Sequence, residues 1–232
     1  MAHPSRLASR PAGRSDGQNG FLRALRGRRS APERSRPKGF LLETVESIVF
    51  AVVIFLIVRT LAFQAFRIPS GSMEDTLLPG DFLFINKFAY GARIPWSHAR
   101  LPGYSEPKRG DIIVFEFPQD PKQDYIKRCV AVAGDKVEVR QGQLLINDVV
   151  QQESYAVHKA SHANPALDSF GPYRVPPGHL FMMGDNRDFS SDSRVWGPVD
   201  VRLIHGKAWV TYFSWDPNKH LPRPLRMFRL IH

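Results

Sequence analysis

The sequence predicts a mostly β protein, an antiparallel-sheet domain behind one N-terminal membrane-spanning helix. Three observations lead there. Ile48 to Val58 reads IVFAVVIFLIV, eleven apolar residues without a break. Beyond residue 65 the chain carries short apolar or alternating runs separated by Pro and Gly, the pattern of strands and turns. No long stretch of that region shows the 3.6-residue periodicity of an amphipathic helix. The 232 residues are enough for one ordinary domain plus appendages. With 43% hydrophobic and 23% charged residues, the chain as a whole is neither disordered nor fibrous.

The charge is uneven, and this bears on the helix. Residues 1–39 hold ten basic and two acidic side chains, so most of the net +10 belongs to this tail. The tail is rich in Arg, Ser, Gly and Pro and reads as disordered. The remaining chain is almost neutral, which argues against a nucleic-acid partner, since that would want a folded basic face. The window Leu41–Phe63 covers roughly 34 Å as a helix, enough for a bilayer core. Glu43 and Glu46 can reach headgroups at one end and Arg59 can snorkel at the other. The basic tail in front places the N-terminus in the cytoplasm by the positive-inside rule. A cleaved secretory signal and a buried core helix are the rival readings. Against cleavage, Ala62 and Ala65 stand three apart where an A-x-A site needs two.

The expected organisation is a cytoplasmic tail at 1–39, a transmembrane helix at 40–65 and an extracytoplasmic β-rich domain at 66–232. Asp111–Phe117 is a short apolar run ended by Pro118. Lys136–Arg140 alternates with period two and turns at Gln141-Gly-Gln143 into Leu144–Asn147, a hairpin signal. Leu180–Met183 and Ala208–Phe213 read as further strands. The polar stretch 151–173 reads as a long loop or insertion, and the basic 218–232 is undecided between a short strand and a short helix. Phe82, Phe84 and Phe88 read as core residues, with a surface dipping into the bilayer interface as the alternative. The one cysteine, Cys129, excludes an internal disulfide and any zinc site built on several thiolates.

Three clusters carry potential chemistry. Ser70-Gly71-Ser72 sits on a Gly-containing turn that can expose a hydroxyl beside backbone N–H groups, although Ser-Gly-Ser alone is ordinary loop chemistry. A nucleophilic serine needs a base. The candidates His98, His158, His162, His179, His205, His220 and His232 stand in uninformative contexts. Lys127 lies near the start of the strand-like run Asp124–Ala133, sharing a face with Tyr125 and Cys129. Desolvation there would lower its pKa toward the range of a general base, whereas at a strand edge its head stays in water. Gly184–Gly197 packs Asp185, Arg187, Asp188, Asp192 and Arg194 with three serines. It reads as a solvated or cation-binding acidic loop, or more economically as a loop stiffened by Asp–Arg pairs.

Four separated motifs then combine: Pro69–Leu77 (PSGSMEDTL), Arg109–Phe115 (RGDIIVF), Tyr125–Arg128 (YIKR) followed by Gly134–Val137 (GDKV), and Gly184–Gly197. In this order, behind a membrane segment, they make the sequence resemble bacterial type I signal peptidase, or leader peptidase, from about Glu46 to Val199. The resemblance implies a membrane-anchored serine endopeptidase with a Ser–Lys dyad. Such an enzyme removes N-terminal signal peptides after small residues at −3 and −1. It implies Ser72 as nucleophile, Lys127 as general base, and the Ser72 backbone N–H with the Ser70 hydroxyl as oxyanion hole. Ser190 would hydrogen-bond the lysine, and Asp192 with Arg194 would form a supporting ion pair.

The resemblance further implies substrate contacts from Phe66, Ile68, Pro69, Met73, Leu77, Leu83, Val114, Asp124, Tyr125 and Ile126. No metal or cofactor is expected. The implied partners are signal-peptide-bearing preproteins, the lipid bilayer and the neighbouring secretion translocase, at the bacterial cytoplasmic membrane. Phe189 departs from the family, which commonly has Asn there, and some relatives have two membrane segments. Alternatives are another processing peptidase, a self-cleaving Ser–Lys regulator and an inactive anchored scaffold. Residues 1–39 are too short and too poor in apolar residues for the DNA-binding domain such a regulator carries, and an intact Ser72 and Lys127 argue against the scaffold.

Overall fold

A computed structural model of the protein describes residues 40–61, 63–92, 94, 99–159 and 165–232. The expected basic tail at 1–39, His98 and His162 lie outside the described residues. The chain divides into two units, one ending at Ser47 and the other beginning at Ile48. Of the first unit, the described part opens helix α1, Phe40–Leu61, where Ser47 Oγ donates to the Glu43 carbonyl at 2.9 Å.

In the second unit α1 continues through Ile48–Leu56, whose large apolar side chains each leave 44–69% of their surface exposed. Among the described residues no helix is long and apolar enough to cross a membrane. The helix stops at Leu61 and β1 (Phe63–Arg67) begins two residues later. Part of the expected 40–65 helix is therefore strand, because Phe63 to Arg67 pair in antiparallel register with Asn86 to Phe82.

The remaining strands are β2 (Asp81–Asn86), β3 (Ile112–Phe117), β4 (Asp120–Ala131), β5 (Lys136–Arg140), β6 (Gln143–Ile146), β7 (Val149–Val150), β8 (Phe170–Arg174), β9 (His179–Met183), β10 (Val199–Asp200), β11 (Ile204–Asp216), β12 (Leu221–Pro222) and β13 (Arg229–Leu230). The short helices are α2 (Pro165–Asp168) and α3 (Ser193–Trp196). Two antiparallel sheets result. The larger runs β1-β2-β11-β3-β4-β9-β10, with β12 and β13 also paired to β11; the smaller runs β7-β6-β5-β8. The expected mostly β, antiparallel architecture is what forms.

Local chemistry explains several elements. Arg140 pairs with Gln143 across a two-residue turn in which Gln141 and Gly142 both take positive φ (50° and 79°), the turn a tight hairpin favours. In β2 the alternation buries Leu83 and Ile85, while Phe82 and Phe84 lie half-buried on the other face. Those two rings pack against Tyr212, at centroid distances of 6.2 and 4.3 Å, and stand outside the main core clusters. Phe88 is exposed. The 151–173 stretch is more structured than a loop. It contains α2 and most of β8, and Val157 bridges to Asn186. The C-terminal stretch resolves into two very short strands and one turn of 3-10 helix between them.

Three loops or strands frame the site. The β1–β2 connection carries Ser72, β4 carries Lys127, and the connection from β9 into α3 carries Gly184–Asp192. Beneath them lies one hydrophobic cluster built from Ile68, Met73, Leu77, Leu83, Ile85, Ile112, Val114, Ile126 and Ala208.

Candidate active site

The Ser72 loop is closed at its base and pinned from below. Ile68 N donates to the Asp81 carbonyl (2.8 Å) and Gly80 N to the Ile68 carbonyl (2.9 Å). Leu77 N donates to the Met73 carbonyl (2.7 Å), making one helical turn just after the serine. Ile68, Met73 and Leu77 are fully buried in the cluster below, so burial of these three side chains holds the turn down. Ser72 itself is buried, while Ser70 is exposed.

Lys127 lies opposite Ile113 of β3, in a strand whose neighbours on both faces are core residues. Only 4% of its surface is exposed. Its Nζ lies 2.5 Å from Ser72 Oγ, joining residues 55 apart in the chain. Burial lowers the amine's pKa from 10.5 to about 8; Asp192 and Asp185 pull it back up and Arg194 pushes it down.

The third loop is tied down more heavily than its sequence suggests. Arg194 Nε and Nη2 meet the two Asp192 oxygens at 2.9 and 2.8 Å, with both side chains buried. Arg194 also donates to the Leu167 and Arg187 carbonyls, while Asp192 accepts from Gly184 N. Gly184 is required by close approach: a Cβ there would come within 2.5 Å of both the Ser72 carbonyl oxygen and Ser190 Cβ. Ser190 departs from expectation. Its hydroxyl is buried yet makes no hydrogen bond to the described residues, Lys127 included. Lys127 instead directs its amine at Ser72, and Ser190 packs into the space that Gly184 leaves free.

A second buried pair lies beside the first. Arg128 Nε and Nη2 each donate to Asp185 at 2.8 Å, and Thr76 Oγ1 donates to the same carboxylate at 2.6 Å. Asp185 thus couples the lysine-bearing strand to the serine-bearing loop. The 151–159 segment buttresses both. Glu153 takes Arg187 in a two-point pair (2.5 and 2.7 Å), and Lys159 Nζ reaches Glu74 and Asp75 at 3.0 and 2.9 Å. Sequence reasoning missed these links. Asp185, Arg187 and Arg128 stand in quoted motifs that do not say which partner each takes, and Glu153 and Lys159 gave no local signal.

A cleft of about 820 Å³ opens over the pair, within the usual range for ligand sites. Of the expected contact residues, Pro69, Asp124, Tyr125 and Ile126 line it, as does Ser70, expected in the oxyanion hole. Ile68, Met73, Leu77, Leu83 and Val114 do not; they are buried in the cluster under it, with Phe66 packed against that cluster. Their apolar bulk is consumed by the core, which is why they form a floor and not a wall. Glu74, Asn186 and Phe189 line the cleft unanticipated. Three of the described histidines have other partners: His158 pairs with Asp188, His179 with the Pro177 carbonyl and His205 with Asp124. Among the described residues no group of three His, Cys, Asp or Glu side chains is placed to hold a metal ion.

This constellation can be compared with known proteins. The sequence pattern of the family described as "Signal peptidase, peptidase S26" matches residues 41–215. A signal peptidase I of Pseudomonas fluorescens is 35% identical over 226 residues, covering 82% of this chain and 79% of the relative. A signal peptidase I of Pseudomonas aeruginosa is 35% identical over 220 residues, covering 81% and 78%. The crystal structure of a signal peptidase I from Enterococcus faecalis V583 aligns at 32% identity over 44% of this chain and 97% of that one, with a TM-score of 0.39. With that pattern extending over most of its length, the chain belongs to the signal peptidase family, peptidase S26, and is a signal peptidase hydrolase.

Proposed function

We propose that the protein is a membrane-anchored serine endopeptidase that removes signal peptides from exported preproteins after small residues at −3 and −1. Ser72 is the nucleophile and Lys127 the general base. The observation that carries this reading is the 2.5 Å contact between a buried amine and a buried hydroxyl at the bottom of a cleft. With the amine uncharged, the Ser72 hydroxyl donates its proton to Nζ as Oγ attacks the scissile carbonyl. The resulting ammonium returns that proton to the leaving amine. The amine then takes a proton from water as the water oxygen attacks the acyl carbon, and the ammonium gives that proton to Ser72 Oγ as the acyl C–O bond breaks. The Ser72 N–H and the Ser70 hydroxyl stabilise the oxyanion, each such donor lowering the barrier by about 3 kcal/mol. Asp192 and Arg194 hold the loop beside the lysine. The substrate lies extended against β4, its small side chains directed at Tyr125 and Ile126 over the apolar floor.

The test is incubation of one purified preprotein bearing an Ala-x-Ala site with wild type and with Ser72→Ala, reading the products by mass spectrometry. A single cut after the second alanine, absent with Ser72→Ala, is expected. The rate should rise with pH through an inflection near 8. The sign follows from the base: the amine works only unprotonated, and burial has brought its pKa down to about 8. Below that value kcat/KM falls about tenfold per pH unit. An inflection near 10.5 would mean a solvated lysine and would end the assignment.

Helix α1 is the proposed anchor, crossing the membrane once with residues 1–39 in the cytoplasm and 66–232 outside, beside the secretion translocase. Its support is a helix apolar on all sides around Ile48–Leu56, whose exposed side chains call for a nonpolar medium. The full-length protein is expected to stay in the membrane pellet after alkaline carbonate extraction, and release into the supernatant would remove the anchor.

A further inference from the structure

We infer that Phe189 forms a subsite for an apolar side chain immediately downstream of the scissile bond, making it a specificity-determining residue. The inference rests on the function proposed above and extends it to the side of the substrate that becomes the mature N-terminus. Phe189 leaves 63% of its surface exposed, whereas Arg187, Ser190 and Asp192 around it expose 2%, 3% and 0%. The ring stays outside because its loop is fixed on both sides. Arg187 is held by Glu153 and Asp188 by His158, while Arg194 binds the Arg187 carbonyl at 2.7 Å. Turning the ring inward would break these contacts, so a large apolar surface is presented on a rigid support.

That surface lines the cleft. Two elements besides the Ser72 loop contribute to the cleft's lining. The β4 segment Gln123–Ile126 contributes one part, and Asn186, Phe189 and Ser191 contribute another. The second element is attached to the serine itself, since Asn186 N donates to the Ser72 carbonyl at 3.2 Å. A substrate whose upstream residues occupy the β4 side, with its carbonyl carbon on Ser72, runs onward past the 186–191 loop. The first side chain beyond the cut then meets the Phe189 ring. A ring offers apolar area and no hydrogen-bond partner, so it favours an aliphatic or aromatic side chain over a hydroxyl or carboxylate.

The test uses the full-length protein in detergent and peptides that share one Ala-x-Ala sequence and carry Phe, Leu, Ser or Glu as the next residue. Wild type is expected to show kcat/KM about tenfold higher for Phe and Leu than for Ser and Glu. Phe189→Ala should bring that ratio close to one, and Phe189→Leu should keep most of it. Melting temperatures of the variants should match wild type, because the side chain is exposed. A wild-type ratio near one overturns the inference, as does a ratio that survives Phe189→Ala. Failure of folded wild type to cut any of the peptides would instead overturn the proposed function, and this inference with it.

Discussion

Ser72→Ala and Lys127→Ala are each expected to lower kcat/KM for an Ala-x-Ala preprotein by about 10⁴-fold or more, leaving the melting temperature nearly unchanged. The magnitude follows from the way a nucleophile and its base act as one unit, so that either loss removes the whole covalent path. Lys127→Arg is the more discriminating variant. It retains a cation, but a guanidinium is always protonated and cannot accept the serine proton. Arg at 127 should therefore be as inactive as Ala. Preprotein cleavage followed by gel and mass spectrometry decides the matter. Substantial activity in Lys127→Arg would show that a positive charge, and not a base, is what the site needs.

Asp185→Asn should cost on the order of 3–5 kcal/mol of stability. Asp185 is fully buried, and it is the carboxylate that both Arg128 nitrogens and the Thr76 hydroxyl reach. Neutralising it leaves a guanidinium with 4% side-chain exposure without its countercharge, the costly way to break a buried pair. For a chain of this length the melting temperature should fall by roughly 10 °C. A second readout separates electrostatics from loose packing. The Asp185 charge raises the pKa of Lys127, so removing it lets the amine lose its proton more readily. The pH–rate inflection of Asp185→Asn should move below the wild-type value. An unshifted inflection together with an unchanged melting temperature would show that Asp185 is not the link between the lysine strand and the serine loop.

Legibility in the sequence divided along physical lines. The Lys136–Arg140 strand and its Gln141-Gly142 turn were readable because period-two alternation and positive-φ turn residues are local signals. The apolar run inside α1 was equally plain. The transition at Phe63 was not, because Phe63–Arg67 is extended only through its pairing with β2. The expected substrate wall of Ile68, Met73, Leu77, Leu83 and Val114 went into the core, since apolar side chains at such spacings suit a floor as well as a wall. The expected Ser190–Lys127 hydrogen bond depended on side-chain direction, which a motif does not carry.

The order of residue types along the chain was thus sufficient to name a serine, a lysine and an acidic loop, to foretell strands and turns, and to concentrate positive charge ahead of one apolar segment. Tertiary structure alone decided that Ser72 and Lys127 meet, that the lysine is dry enough to lose its proton near neutral pH, and that Arg128, Glu153 and Lys159 brace the site. The reason is range. Periodicity and turn chemistry act over a few residues, whereas desolvation and ion pairing depend on partners that only sheet pairing across dozens of residues brings together.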